Sequence, residues 1–211
     1  MGRVVIFGAG GGVGRTAVFE ARRRGHRVTA VVRDPDRYSG LSADGVHLVS
    51  GDVTDADSVA RVAAGHDAAI SAVYDPTARV EQFYTAAAAA LLDGLARTGV
   101  TRLLVVGLAS VLTTAHGIAL MDTPGYPQEY RSFYLAHAAG VQALRHATTG
   151  VDWLVVSPAG DFDHSGVRTG RYRAAMADAV SRISHADLAV ALMDEIDSPK
   201  HHRTHVGMEA R

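Results

Sequence analysis

The sequence predicts an α/β chain built on a parallel sheet, and three observations carry that expectation. Short β-branched runs alternate with helix-compatible stretches almost to the end of the chain. The strand-like runs are near-continuous in Val, Leu and Ile, as in strands that helices cover on both faces. The first run, Val4-Val5-Ile6-Phe7, enters a turn that holds five glycines in the seven positions from Gly8 to Gly14. A helix-compatible stretch follows at once, giving the strand–turn–helix setting in which a glycine-rich loop holds a dinucleotide diphosphate.

Taken in order, the strands are predicted at Arg3–Phe7, Arg27–Val32, Val46–Ser50, Asp67–Ala72, Arg102–Gly107 and Asp152–Ser157, with a short last one near Thr204–Met208. Helices are expected at Val13–Arg24, Asp55–Ala64, Ala78–Thr98, Glu129–Thr148 and His185–Ile196. The last begins with Ser184 and Asp187, an S-x-x-D pattern suited to a helix N-terminus. Strands separated by helices require parallel pairing with right-handed crossovers. The expected architecture is therefore a Rossmann-type doubly wound parallel sheet in a single domain covering 1–211. Two long connections, about 109–128 and 158–181, follow the C-terminal ends of strands, where open α/β sheets place ligands. They are the expected substrate side of the pocket.

Composition narrows the function. A formal net charge of −1 gives no electrostatic reason to expect nucleic acid or a membrane surface as partner. The chain has no cysteine, which removes disulfides, thiol catalysis and thiolate metal sites and fits a reducing compartment. No apolar run reaches the length of a membrane span, and the first strand begins too early for a signal peptide, so a cytoplasmic protein is expected. All but one of the 21 basic residues are arginine; the exception, Lys200, rules out any lysine-dependent mechanism in the preceding chain.

Within the glycine turn the spacing is G-x-x-G-x-x-G. Gly8 would allow the tight turn, Gly11 the approach of backbone to phosphates, and Gly14 the close packing of helix on strand. Gly10, Gly12, Val13 and Arg15 complete the loop, Arg15 adding a cation near the phosphates. An acidic residue at the end of the second strand selects NAD, whereas an arginine there accommodates the 2′-phosphate of NADP. Here Arg33 stands at that position with Asp34 just behind it. NADP(H) is the preferred cofactor, and Asp34 keeps NAD(H) possible. After the third strand, Asp52 and Val53 could meet the adenine edge; after the fourth, Ser71, Ala72 and Val73 could line the adenosine side. Both segments also read as routine strand-end turns. Gly107 and Pro158, at the ends of the fifth and sixth strands, complete the candidate cofactor residues.

From Gly8-x-x-Gly11-x-x-Gly14-Arg15 through Arg33-Asp34-Pro35 to Gly51-Asp52-Val53, the chain resembles the atypical short-chain dehydrogenase/reductase group. Within it, the resemblance is to the NAD(P)H-binding (NmrA-like) proteins named as NADH-flavin reductases, relatives of the flavin reductase that also acts as biliverdin-IXβ reductase. Asp122-Thr123-Pro124, Pro127-Gln128-Glu129-Tyr130, Ala143-Leu144-Arg145, Asp152-Trp153, Val156-Ser157-Pro158-Ala159, Arg168-Thr169-Gly170-Arg171-Tyr172 and Arg182-Ile183-Ser184 extend it over nearly the whole chain. The resemblance implies a six- or seven-stranded sheet, NADPH binding and reduction of a small acceptor. It also implies a histidine seven residues before the leucine of the Leu-Arg pair, which is His137, and a serine after the fifth strand, for which Ser110 is the nearest match. The Tyr-x-x-x-Lys pair of ordinary members of the wider superfamily is absent, because neither Tyr130 nor Tyr134 is followed by a lysine four residues on.

Hydride transfer asks little of a protein beyond holding donor against acceptor and excluding water. His137 could hold the acceptor or deliver a proton, and Tyr134, one turn away, is a poorer acid. Equally, His137 reads as a helix-surface residue facing water, and Ser110 as a turn or cap residue. His201, His202 and His205 lack a completing carboxylate or cysteine nearby and read as a solvated loop, so no metal is expected. Asp161, Asp163 and His164 form a polar cluster in the second long connection. Without a G-x-S-x-G elbow or a Walker A lysine, hydrolase and ATPase readings fall away. The expected function is an NADPH-dependent reductase of a flavin, quinone or similar flat conjugated acceptor, with FMN or FAD as a possible substrate. The alternatives are a non-catalytic NADP(H)-sensing regulator and a pathway-specific reductase or isomerase. A small-molecule substrate is the expected partner, and monomer and homodimer both remain open.

Overall fold

In the computed structural model, which describes residues 1–75 and 80–211, the chain forms an α/β sandwich with helices on both faces of one sheet. The strands are β1 (Arg3–Phe7), β2 (Arg27–Val32), β3 (Val46–Ser50), β4 (Ala68–Ser71), β5 (Arg102–Val106), β6 (Asp152–Pro158), β7 (Asp161–Asp163), β8 (Tyr172–Ala175), β9 (Arg182–Ser184) and β10 (Thr204–Ala210). The helices are α1 (Gly12–Arg23), α2 (Ala56–Ala63), α3 (Val80–Thr98), α4 (Arg131–Arg145) and α5 (His185–Asp197). The start expected for α3 at Ala78 lies outside the described residues.

Eight strands lie in the order β3-β2-β1-β4-β5-β6-β10-β8. All neighbours pair in parallel except β10 and β8. The chain steps outward from β1 to β3 and then returns to β1's other flank at β4, so the order reverses beside β1. Open α/β sheets bind ligands beyond the strand ends at such a reversal.

Alternation along β1 shows why the strands read as unbroken apolar runs. Val4 and Ile6 point to the layer that holds Ala17, Val18 and Ala21 of α1 and Leu188 and Leu192 of α5. Val5 and Phe7 point to the other layer, with Val59 and Val62 of α2, Leu91 and Leu95 of α3 and Leu144 of α4. Both faces are buried, so neither can be polar.

The two long connections are built structure rather than open loops. The first holds 3₁₀ turns at Ala109–Val111 and Leu120–Asp122 and a bridge between Thr113 and Ala119. Ala109, Leu112 and Leu120 bury a small core there with Ala177 of the second connection, and Thr114 bridges to Ala177. The second connection supplies β7 and β8, and β9 follows it. The sheet thus has one strand more than the resemblance implies, because β8 adds antiparallel to β10 through Tyr172 to Ala175.

Two carboxylates fasten the second connection to the helical layer. Asp187 shows the expected N-terminal pattern in part: its N–H donates to Ser184 Oγ at 3.0 Å. Its carboxylate, however, reaches sideways to accept from the Thr169 and Gly170 amides and from Thr169 Oγ1. Glu20 of α1 accepts from Arg23, Arg24 and Arg168, the last at 2.8 Å across 148 residues of sequence. Burial alone would raise the Glu20 pKa, but the three guanidiniums outweigh it and hold the carboxyl far below the ordinary carboxylate range. A carboxylate lowered by folding contributes stability above its unfolded pKa of about 4.3, and that contribution is lost as pH falls below it. Glu20→Gln is expected to cost about 2 kcal/mol in urea unfolding at pH 7, since it breaks a buried pair whose arginines are partly exposed. It should also flatten the loss of stability between about pH 5 and pH 3.

Candidate functional site

The glycine turn sits at the reversal point of the sheet. Gly8 has φ +75°, and its amide and that of Ala9 both donate to the carbonyl of Val31 on β2. A Cβ on Gly8 would stand 2.4 Å from the Ala72 carbonyl oxygen, and one on Gly14 only 2.0 Å from the Gly8 carbonyl oxygen. Both positions therefore exclude any side chain, as the sequence suggests. Gly11 differs. It is the N-cap of α1, and a Cβ there would have no neighbour closer than 3.5 Å. The space above Gly11 is open, and the N-terminus of α1 behind it carries the partial positive charge that suits a phosphate.

A cavity of about 500 Å³ opens beside this turn, within the size range of cofactor pockets. Phe7, Val31, Val53, Ala72 and Val73 give it an apolar floor; Arg33, Asp34, Arg37, Asp52 and Asp75 give it a charged rim. Asp52 is held in a tight turn, accepting from the Thr54 amide and hydroxyl. The Tyr38 ring covers Gly10, where an added Cβ would lie 2.4 Å from the ring. The exposed guanidinium of Arg33 pairs with the buried carboxylate of Asp75.

Val73 also borders a second, much smaller cavity of about 30 Å³ between the sheet and helices α3 and α4. Ser71, Gly107, Tyr84 and His137 line it. His137 does not face water: its ring lies 3.7 Å from that of Tyr84 and 4.7 Å from that of Phe133, centroid to centroid. The His137 Nε2, Ser71 Oγ and Tyr84 hydroxyl are buried without a hydrogen-bond partner among the described residues. Burial, helped by His205 nearby, pushes the His137 pKa down to about 3. His205 is itself pushed down to about 4, by burial and then by Arg145, and its Nε2 lies 2.7 Å from Ser157 Oγ. Gly107 sits against that pair, since a Cβ there would lie 2.5 Å from Ser157 Oγ. Both imidazoles are neutral at pH 7, so His137 can offer or accept a hydrogen bond but is only a very weak acid.

The other two candidate catalytic groups lie elsewhere. Ser110 is fully buried in the first 3₁₀ turn, its hydroxyl unpartnered. Tyr134 packs against Tyr126 and Tyr130, and its pKa is raised, chiefly by burial, which makes it a weaker acid still. Neither lines either cavity with His137.

Several cofactor candidates also fall outside both linings. Arg15 is exposed in the first turn of α1 and stands apart from the cavity wall. Val13 is buried against the α1–α5 layer, and Gly12 lies beneath the His185 ring. Pro158 closes β6, paired with Met208 of β10. His201 and His202 lie in the loop that enters β10, as expected, where they meet Glu195 and Asp152 and His202 stays 59% exposed, while His205 enters the sheet beside Ser157. His164 of the polar cluster packs near the Phe162 and His185 rings, while Asp163 accepts from Ser165. In the other direction, Arg37, Tyr38, Tyr74, Asp75 and Phe83 line the larger cavity although the sequence reading passed over them. The signal was present for the first two, a cation and an aromatic four and five residues beyond Arg33. Asp75 and Phe83 meet the cavity only through the sheet order.

The chain belongs to the NAD(P)H-binding family, whose model matches residues 8–199. It is similar to an uncharacterized Bacillus subtilis (strain 168) protein, YwnB, 33% identical over 212 residues and 94% of each chain. A Burkholderia pseudomallei structure provisionally named an exported protein matches with TM-score 0.86 and 34% identity, covering 99% of this chain and 100% of that one. A Streptococcus pneumoniae structure provisionally named an NADH-flavin reductase matches with TM-score 0.85 and 30% identity over 100% of both chains. The cradle above Gly11, the cavity volume and the rim cations fit a nicotinamide dinucleotide. Gly11→Ala should leave the unfolding midpoint nearly unchanged while weakening NADPH binding at least tenfold, because its Cβ meets a phosphate rather than protein. Gly14→Ala should lose fold stability and binding together. Paired thermal unfolding and fluorescence titrations measure both.

Proposed function

We propose that this member of the NAD(P)H-binding family is a reductase that prefers NADPH and passes hydride to a small conjugated acceptor such as FMN, FAD or a quinone. The observation that carries the reading is the larger cavity, where an apolar floor and two rim arginines meet an open glycine turn. When bound, the dinucleotide supplies the hydride and its two electrons. The chain's residues hold and shield it. Backbone at Gly11 and the α1 N-terminus would take the diphosphate, Arg33 and Arg37 the 2′-phosphate, and Asp52 the adenine edge. The name of the Streptococcus relative agrees with a flavin acceptor.

On the acceptor side, the aromatic group of Tyr74, Phe133, Tyr84 and His137 offers flat apolar contacts beyond Val73. His137 serves there as a neutral hydrogen-bonding group, whereas Ser110 and Tyr134 line neither cavity. The proton that completes acceptor reduction comes from solvent, since His137, held neutral by burial, is a very weak acid. The acceptor is a small molecule, the protein works in the cytoplasm, and monomer or homodimer would serve equally. Among the described residues no helix is long and apolar enough to cross a membrane.

A sensing protein without turnover is the second reading, favoured by the absence of a Tyr-x-x-x-Lys pair and by the engagement of Tyr134 with Tyr126. Anaerobic oxidation of NADPH and NADH, with and without FMN, separates the two. The reductase reading expects FMN-dependent oxidation faster with NADPH. Arg33→Ala should weaken NADPH tenfold or more, the scale of a lost charge-assisted hydrogen bond, and leave NADH almost unchanged. His137→Ala should slow the reaction with no loss of a pH inflection between 5.5 and 8. Tight NADPH binding without oxidation by any acceptor would favour the sensor.

A further inference from the structure

We infer that Asp75 sets cofactor selection by competing with the cofactor for Arg33. The Arg33–Asp75 pair stays closed over an unphosphorylated ribose and opens for a 2′-phosphate. The inference rests on the dinucleotide reading of the larger cavity given above.

The placement of the pair points to this role. Arg33 follows β2 and Asp75 follows β4, the two strands that flank β1, so their ion pair reaches across the glycine turn from one side to the other. Both residues line the same cavity. The Arg33 side chain is 71% exposed and the Asp75 side chain 8% exposed, so the carboxylate is fixed and the guanidinium is the mobile partner. Arg37 also lines the rim and makes no ion pair among the described residues, which leaves a second cation for a phosphate.

The chemistry differs for the two cofactors. A guanidinium meets carboxylate and phosphate with the same forked donors, so one Arg33 cannot serve Asp75 and a 2′-phosphate fully at once. A dianionic phosphate flanked by Arg37 would draw Arg33 off Asp75, against the repulsion of the Asp75 charge. A ribose 2′-hydroxyl presents no such charge, and an acidic neighbour can accept its hydrogen bond. Asp75 thus lowers affinity for the phosphorylated cofactor and supports the other. A purely structural tie between the strand ends would instead affect both cofactors alike.

Calorimetric titration of 2′,5′-ADP and 5′-AMP into wild type, Asp75→Asn, Arg33→Gln and the double variant tests this without any redox reaction. The preference for 2′,5′-ADP over 5′-AMP is expected to rise about tenfold in Asp75→Asn. In the Arg33→Gln background the same change should raise the preference clearly less, since only the direct influence of the Asp75 charge remains; an equal rise there would overturn the competition for Arg33. An unchanged preference in Asp75→Asn, or equal weakening of both nucleotides, would overturn the inference while leaving the cofactor reading intact. Failure of wild type to bind either nucleotide would overturn the cofactor reading itself, and the inference with it. Should Asp75→Asn fail to fold, the wild-type Arg33 Nε–H signal, assigned through its loss in Arg33→Gln, provides the same decision by NMR. It should shift with 2′,5′-ADP and stay in place with 5′-AMP; equal shifts with both would overturn the exchange.

Discussion

Between β1 and α1 the backbone passes so close to itself that a Cβ at Gly14 would stand 2.0 Å from the Gly8 carbonyl. The remaining architecture depends on that contact. It brings the N-terminus of α1 down onto the end of β1, at the point where the strand order reverses. The Val31 carbonyl of β2 anchors the turn on one side, and the Ala72 carbonyl just past β4 crowds it on the other. The ends of β2 and β4 are thereby fixed as the two walls of one cavity, and the residues that follow those strands, Arg33 and Asp75, are brought into contact.

The two cavities divide the electrostatic work. In the larger, the exposed Arg33 guanidinium stands against the buried Asp75 carboxylate, and a charged ligand can replace one partner by another. The smaller keeps its polar groups buried and neutral. His137 and His205 are both pushed well below the physiological range by burial. A neutral, apolar chamber beside a charged cavity suits hydride transfer, in which no charged protein group has to approach the reacting carbon. Away from the site, Arg102 binds Asp152 and Glu195 at the opposite end of the sheet, and Glu20 and Asp187 clamp the second connection. These groups hold the frame on which the cavities are placed.

Much of the frame was legible in the sequence because it rests on local signals. Seven strands and five helices announce themselves through apolar runs, periodicity and glycine, and the glycine turn shows its own geometry. The short strands β7, β8 and β9 were not legible. Sequences such as Asp-Phe-Asp and Arg-Ile-Ser carry no strand pattern, and they extend only because partners arrive from distant parts of the chain. The site divides in the same way. Arg33 and Asp52 follow from position after a strand, whereas Asp75 becomes part of the rim only once β4 lies beside β1. His137 was legible as a residue of interest but not in its state, since burial against Tyr84 and Phe133 decides its charge.

On the reading proposed above, the cavity beside the glycine turn holds a nicotinamide dinucleotide with its diphosphate on the α1 N-terminus. A crystal structure of the protein with NADPH tests it most directly. The diphosphate is expected over Gly11, the 2′-phosphate on Arg33 and Arg37, and the nicotinamide directed past Val73 toward the aromatic group around His137. A cofactor seated outside this cavity, or lying in it with its 2′-phosphate away from both arginines, would contradict it.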